Sequence, residues 1–271
     1  MRRAPFSRIP LAGLIVLTLT AATLGAQVTR AAGSTASGTS PRALKAAVVL
    51  VHGAFADGSG WAKVIPILER DGYYVIAVQN PLHATPDDIA NTKRVINDQM
   101  LPVILVGHSY GGVVITGAGA NNPKVKALVY VAAFAPDAGE AIGPLLEKYP
   151  SKIGGALRPD SAGFLYLDRA QFHEVFCADL TVDDARIMAA TQKPIAGAAF
   201  KATLTSAAWK TVPAWYMVAQ DDQAINPELE RVFAKRMNAK TVEVKASHVP
   251  FLSQPEAVAN LIEQAAAATV K

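Results

Sequence analysis

Cysteine occurs once in the 271 residues, at Cys177. An internal disulfide is therefore excluded, and no Cys/His grouping has the spacing of a metal site. Charged residues make up only 18% of the chain beside 51% hydrophobic ones, a balance that excludes a disordered polymer and suffices for a large core. No acidic residue precedes Asp57, whereas Arg2, Arg3, Arg8, Arg30 and Arg42 all precede position 43. From there on, 21 basic residues face 22 acidic ones, so the pI of about 9.1 is a property of the N-terminus. No basic block of the kind that tracks phosphates is left, which argues against a nucleic-acid partner. The glycine-rich "VHGAFADGSG" lacks both G-x-G-x-x-G spacing and a P-loop lysine, so it is not read as a phosphate cradle.

The basic N-terminus has a use. "MRRAPFSR" is a positive leader, "LAGLIVLTLTAATLGA" an apolar run, and the small residues Gly25, Ala26 and Ala31 follow. This layout predicts a secretory signal peptide over 1–26, cut after Ala26 or Ala31, with an uncleaved anchor as the alternative. Residues 27–45, which include "AAGSTASGTSP", carry no hydrophobic period and are read as a flexible linker. A secreted or periplasmic protein with no further membrane contact is expected.

From 46 to 271 the chain alternates short β-branched runs with longer amphipathic ones. Strands are predicted over 46–52, 73–79, 103–107, 125–134, 214–219 and 241–246. Their near-continuous apolar character suits strands buried on both faces of a parallel sheet. Helices are predicted near 61–70, 87–99, 110–120, 227–237 and 254–268. This rhythm predicts an α/β fold with a doubly wound, mostly parallel sheet. One interval, about 136–210, has no convincing strand. It holds helical patterns at "DRAQFHEVFCADL" and "TVDDARIMAATQ", with Thr181 and Asp184 as a capping box. A helical cap inserted before the penultimate strand is expected.

"GHSYG" (107–111) matches G-x-S-x-G, follows a predicted strand and precedes a helix, the setting of a nucleophile elbow. Such a turn leaves the Ser109 hydroxyl exposed at a helix N-terminus, where positive partial charge favours a developing anion. A serine hydroxyl needs a base, and the base needs an orienting acid. His52, His83, His108 and His173 lie at a strand end, in a loop, beside the serine and in the cap. Only His248, in "KASHVPFL", follows the last strand, where a loop can reach Ser109. For the acid, "VAQDDQAINPE" offers the adjacent Asp221 and Asp222. Oxyanion donors are expected from the backbone N–H of Tyr110 and from the "HGAF" loop, with Ala54 ahead of Phe55.

Taken together, "VLVHGAFADGSGW", "LVGHSYGG", "LVYVAAFAPD", "DDQAINPE" and "ASHVPFLSQPEAV" resemble the α/β-hydrolase superfamily. More narrowly they are similar to its branch of plant methyl esterases, hydroxynitrile lyases and bacterial esterase relatives. The resemblance spans about 46–268. It implies Ser109 as nucleophile, Asp222 rather than Asp221 as acid, His248 as base, and Ala54 and Tyr110 as oxyanion donors. Hydroxynitrile lyases of this branch carry Thr where this chain has Gly53 and Lys where it has Val249, so cyanohydrin cleavage is not implied.

Phe55, Phe134 and Phe251 flank these positions and are the candidate substrate-binding residues. An apolar pocket without a charge clamp suits a small neutral hydrophobic ester or lactone. The expected activity is ester hydrolysis through an acyl-enzyme on a small-molecule substrate, with neither cofactor nor metal. Perhydrolysis, acyl transfer and a non-catalytic ligand-binding role are the alternatives. N-terminal sequencing of the secreted or periplasmic protein is expected to begin at Gln27 or Ala32. A mature protein still starting at Met1 contradicts the signal peptide.

Overall fold

The apolar runs of the sequence become strands, and the amphipathic runs between them become helices. The computed structural model describes residues 43–270. The predicted signal peptide and all but the last three residues of the predicted linker lie outside them. In chain order the strands are β1 (Ala47–Val51), β2 (Tyr74–Val78), β3 (Val103–Ser109), β4 (Val125–Ala133), β5 (Leu157–Pro159), β6 (Phe164–Leu167), β7 (Ile195–Ala196), β8 (Ala214–Ala219) and β9 (Lys240–Val244). The α-helices are α1 (Ile65–Arg70), α2 (Thr85–Asp98), α3 (Gly111–Ala118), α4 (Ile142–Lys148), α5 (Ile153–Ala156), α6 (Phe172–Phe176), α7 (Val182–Thr191), α8 (Pro227–Arg236), α9 (Pro250–Ser253) and α10 (Pro255–Thr269). Among the described residues no helix is long and apolar enough to cross a membrane.

Six strands form one parallel sheet in the order β2-β1-β3-β4-β8-β9. Burial follows position in that order. Every residue of β1, β3 and β8 is buried, because helices cover both faces. The edge strands β2 and β9 are partly exposed, and β9 reads "KTVEV", with charge where solvent reaches it. The chain leaves β1 for the β2 edge and returns to β3 on the other side of β1. Strand order therefore reverses between β1 and β3, and the loops after these two strands border the crevice where such sheets bind ligands.

Helix ends follow the local chemistry. Helix α8 starts on Asn226, whose side chain accepts from Glu228 N at 2.9 Å, with Pro227 at its first position. In the cap, Thr181 accepts from Asp184 N at 3.1 Å, and its hydroxyl donates to the Asp184 carboxylate. The capping box starts α7 where the sequence places it.

The cap departs from expectation in two respects. It is not purely helical: β5, β6 and β7 form a small antiparallel sheet. The turn between β5 and β6 is made by Asp160, whose Oδ1 accepts from Ala162 N and Phe164 N, both at 2.9 Å. Gly163 supplies a positive φ of 82° in the same turn. Helix formation around Cys177 is also shorter than the apolar pattern suggests, covering only Phe172–Phe176.

Hydrogen bonds join the cap to the sheet's C-terminal loops. Ala196 N donates to Leu82 O at 2.9 Å, and Lys193 Nζ to Asn80 O, both beyond β2. Beyond β8, Lys152 N donates to Gln223 O at 3.0 Å, Ser151 Oγ to Ala224 O at 2.8 Å, and Asn226 Nδ2 to Pro150 O at 3.0 Å. Beyond β9, Ser247 N and Oγ both donate to the Asp179 carboxylate.

Helix α3 packs so closely behind the sheet that Gly112 has no room for a side chain. A Cβ there would lie 2.1 Å from Phe134 O and 2.9 Å from Ala133 Cβ. Gly112→Ala is expected to cost about 3 kcal/mol, a fall in Tm of roughly 10 °C. Gly154→Ala, where a Cβ meets nothing within 4 Å, is expected to leave Tm unchanged or slightly raised. Thermal unfolding of both variants checks the contrast.

Candidate active site

Ser109 ends β3, immediately before α3. Its φ is +53°, a left-handed conformation that costs a non-glycine residue about 1 kcal/mol or more. Surrounding backbone holds it there. Opposite, the β3–β4 register slips by one residue, so that Ser109 pairs with Ala133 and skips Ala132, itself at φ +44°. Phe134 N then donates to Ser109 O at 3.1 Å. The serine sits on a strained corner braced by the neighbouring strand.

Two distant residues meet it. Ser109 Oγ is 2.9 Å from His248 Nε2, and His248 Nδ1 is 2.5 Å from Asp222 Oδ2. Asp222 is the acceptor, so Nδ1 carries the imidazole proton and Nε2 is free to accept from the serine hydroxyl. The other carboxylate oxygen, Asp222 Oδ1, accepts from Ala224 N at 2.6 Å and Ile225 N at 2.9 Å. All three side chains are buried, Ser109 the least so at 6% exposed. Asp221 is exposed, and its backbone N–H pairs with Ala246 O at 3.1 Å. In this arrangement a proton can pass from Ser109 to His248 while Asp222 holds the ring in orientation.

The loop after β1 passes directly against the serine. A Cβ on Gly53 would lie 2.6 Å from Ser109 Cβ and 3.1 Å from His108 Nδ1, so this backbone has no space for threonine at position 53. Ala54 and Phe55 follow in the same loop, Phe55 at φ +61°. His52 braces the loop from beneath. Its Nδ1–H donates to Gly53 O at 2.8 Å, and its Nε2 accepts from Asn80 N at 3.0 Å. Burial lowers the His52 pKa to about 4 and keeps the ring neutral, as the second bond requires.

Tyr110 starts α3, and its side chain turns away from the serine. The phenol donates to Asp88 Oδ2 at 2.8 Å and pairs with Thr85 Oγ1 at 3.0 Å, anchoring α3 to the start of α2. Burial pushes the Asp88 carboxyl upward despite a further bond from Leu82 N. The backbone of Tyr110 stays beside Ser109, the placement an oxyanion donor requires.

Of the predicted pocket rings, Phe55 lies edge-on to Phe176, and Phe251 packs between Trp61 and His108. Phe134 turns its ring toward Phe233 on α8 and donates its backbone N–H to Ser109 O. Sequence reading missed three contributors. Phe176, within the cap's helical pattern, meets the His248 ring edge-to-face with centroids 5.0 Å apart. His108 donates from Nε2 to His248 O at 2.8 Å, and burial holds its pKa well below the usual histidine range. Asp179 grips Ser247, the residue before His248. A polar residue next to the nucleophile was the available signal for His108; nothing local in the sequence marks Asp179. Cys177 is buried with its thiol pushed up to about 12, first by burial and then by Asp179 and Asp184, so it is no nucleophile. Among the described residues no group of His, Cys, Asp and Glu is placed to hold a metal ion.

Comparison with known proteins agrees with this fold. Residues 48–261 match the alpha/beta hydrolase family. The chain is 26% identical over 250 residues to an alpha/beta hydrolase of Aspergillus novofumigatus, covering 84% of this chain and 99% of that one. It is 26% identical over 252 residues to Methylesterase 8 of Arabidopsis thaliana, covering 79% and 86%. The crystal structure of a pyrethroid hydrolase from Sphingobium faniae superposes with a TM-score of 0.72 at 25% identity, covering 82% and 98%.

The depressed His52 pKa gives stability a pH dependence. Between about 4 and 6.5 the unfolded chain binds the proton that folded His52 refuses, so stability is lost as the pH falls through this window. The contribution is roughly 3 kcal/mol for a shift of this size, and His108 acts in the same direction. Urea unfolding across this range is expected to show a shallower fall for His52→Gln than for the wild type.

Proposed function

The chain belongs to the alpha/beta hydrolase family and is a carboxylic ester hydrolase, and on that premise we propose that it cleaves small, neutral, hydrophobic esters or lactones through an acyl-enzyme on Ser109. The observation that carries this reading is the unbroken hydrogen-bonded chain from Ser109 Oγ through His248 to Asp222, with the serine its most exposed member. Ser109 Oγ attacks the substrate carbonyl and its proton passes to His248 Nε2. The imidazolium so formed is stabilised by Asp222. Negative charge on the carbonyl oxygen is received by the N–H groups of Ala54 and Tyr110, at the N-terminal end of α3. The intermediate collapses as His248 protonates the departing alkoxide, or the ring oxygen of a lactone. Water, deprotonated by the same imidazole, then releases the acid and regenerates Ser109.

The apolar rings of Phe176 and Phe251 against His248 and His108, with Phe55 packed edge-on to Phe176, support a hydrophobic substrate. Phe134, whose ring packs toward Phe233 and whose backbone N–H bonds Ser109 O, braces the serine in this reading. Hydroxynitrile cleavage is disfavoured by the lack of space at Gly53 and by Val249, which is buried where that chemistry uses a lysine. With the predicted signal peptide, the enzyme works outside the cytoplasm.

Ser109→Ala is expected to lower turnover of a short-chain aryl ester by at least about 10⁴-fold with an unchanged Tm transition. A fluorophosphonate is expected to label the wild type and not the variant. Undiminished turnover in Ser109→Ala overturns the proposal.

A further inference from the structure

The interior holds a second carboxyl group behind Asp222. Glu230 lies on α8 among Leu229, Phe233 and Ala234, the residues that turn this helix toward the core, and it is fully buried at 0% exposed. One oxygen, Oε2, accepts from Ala219 N at 3.0 Å, at the end of β8 and three residues before Asp222. The other, Oε1, is buried and receives no donor. Asp222 donates its own backbone N–H to Ala219 O at 3.3 Å, so both acids are held at the same residue at the end of β8, and their carboxyl groups are neighbours.

Two carboxyl groups in contact, shut away from water, do not both ionise. The proton goes to the one that is less well solvated by donors. Asp222 already accepts from Ala224 N, Ile225 N and His248 Nδ1, whereas Glu230 accepts from one amide. The other groups around Glu230 do not reverse this. Arg231 is turned outward onto Glu228 and Glu243. The Tyr216 hydroxyl, bonded to Ala133 O, is itself held neutral by burial. Burial first, and the neighbouring Asp222 second, raise the Glu230 carboxyl well above the usual range.

We propose that Glu230 is a positioning residue of the site, a neutral acid whose O–H donates to Asp222 and fixes the carboxylate that orients His248. The proposal rests on Ser109, His248 and Asp222 acting as the working relay. With the Glu230 donor in place, the charge of Asp222 is shared among four hydrogen bonds. Without it, Asp222 holds the His248 proton more tightly and has more freedom to turn. The imidazole is then a base only at higher pH, and it is less well aimed at Ser109.

The test compares wild type, Glu230→Gln and Glu230→Leu in kcat/KM for an aryl ester as a function of pH. Leucine removes the donor and is expected to lower kcat/KM about tenfold, the scale of one hydrogen bond to a charged group, and to move the acid limb to higher pH. Glutamine keeps a neutral donor and is expected to restore both rate and limb. An acid limb displaced to lower pH in Glu230→Gln overturns the proposal, since it reports the loss of a negative charge. Wild-type rate and profile in Glu230→Leu overturn it as well. Infrared difference spectra of wild type against Glu230→Gln at neutral pH stand in should the leucine variant not fold. A neutral-carboxyl band lost with the substitution is expected, and its absence overturns the proposal. Fluorophosphonate labelling of the same wild-type sample reports separately on Ser109. An unlabelled serine defeats the relay reading, while the infrared band still reports the state of Glu230.

Discussion

The hydrogen bond from His248 Nδ1 to Asp222 Oδ2 is the interaction on which the site depends. It decides which imidazole nitrogen is bare, and hence whether Ser109 faces an acceptor or a donor. Both partners are out of water, where a charge-assisted bond is strong and an unpaired partner is costly. Their loops follow the adjacent strands β8 and β9. Strand pairing is extended past the strand ends by Gln220 N to Val244 O and by Asp221 N to Ala246 O. The sheet thus sets the separation of acid and base, and the side chains adjust only the last ångström.

Ser109 is held differently, by strain rather than by pairing. Its left-handed backbone persists because β3, the bulged end of β4 and the first turn of α3 enclose it. Glycines around the corner let backbone approach backbone where a side chain would stand. The energy stored there is small beside the burial of uniformly apolar central strands. A parallel sheet with so few polar residues in its centre can carry an elbow, a histidine pair and a buried acid at one rim.

Much of this is legible in the sequence because it rests on local periodicity. The apolar runs that became β1, β3, β4 and β8 lie where they read as doubly buried strands, and the capping box at Thr181 starts α7 as expected. Chain order and strand-end position also single out Ser109 and His248, while Asp222 over Asp221 came from the family resemblance. What escaped has non-local causes. The cap strands hold two to four residues each, too few for an alternation to register, and they exist because they pair with one another. His52 and His108 have roles set by bonds to Asn80 and His248. Glu230 reads as one more acidic residue on an amphipathic helix. Only the packing of α8 reveals that it faces inward.

The cap is bonded to the loops beyond β2, β8 and β9, and one of those bonds ends next to His248. Substrate selection and proton transfer are therefore not separable modules in this chain. A chimera that exchanged the inserted segment for that of another hydrolase would also exchange the supports of its base and its acid. Recombination across this boundary succeeds only where the incoming segment brings its own equivalents of Asp179, Lys193 and Ser151.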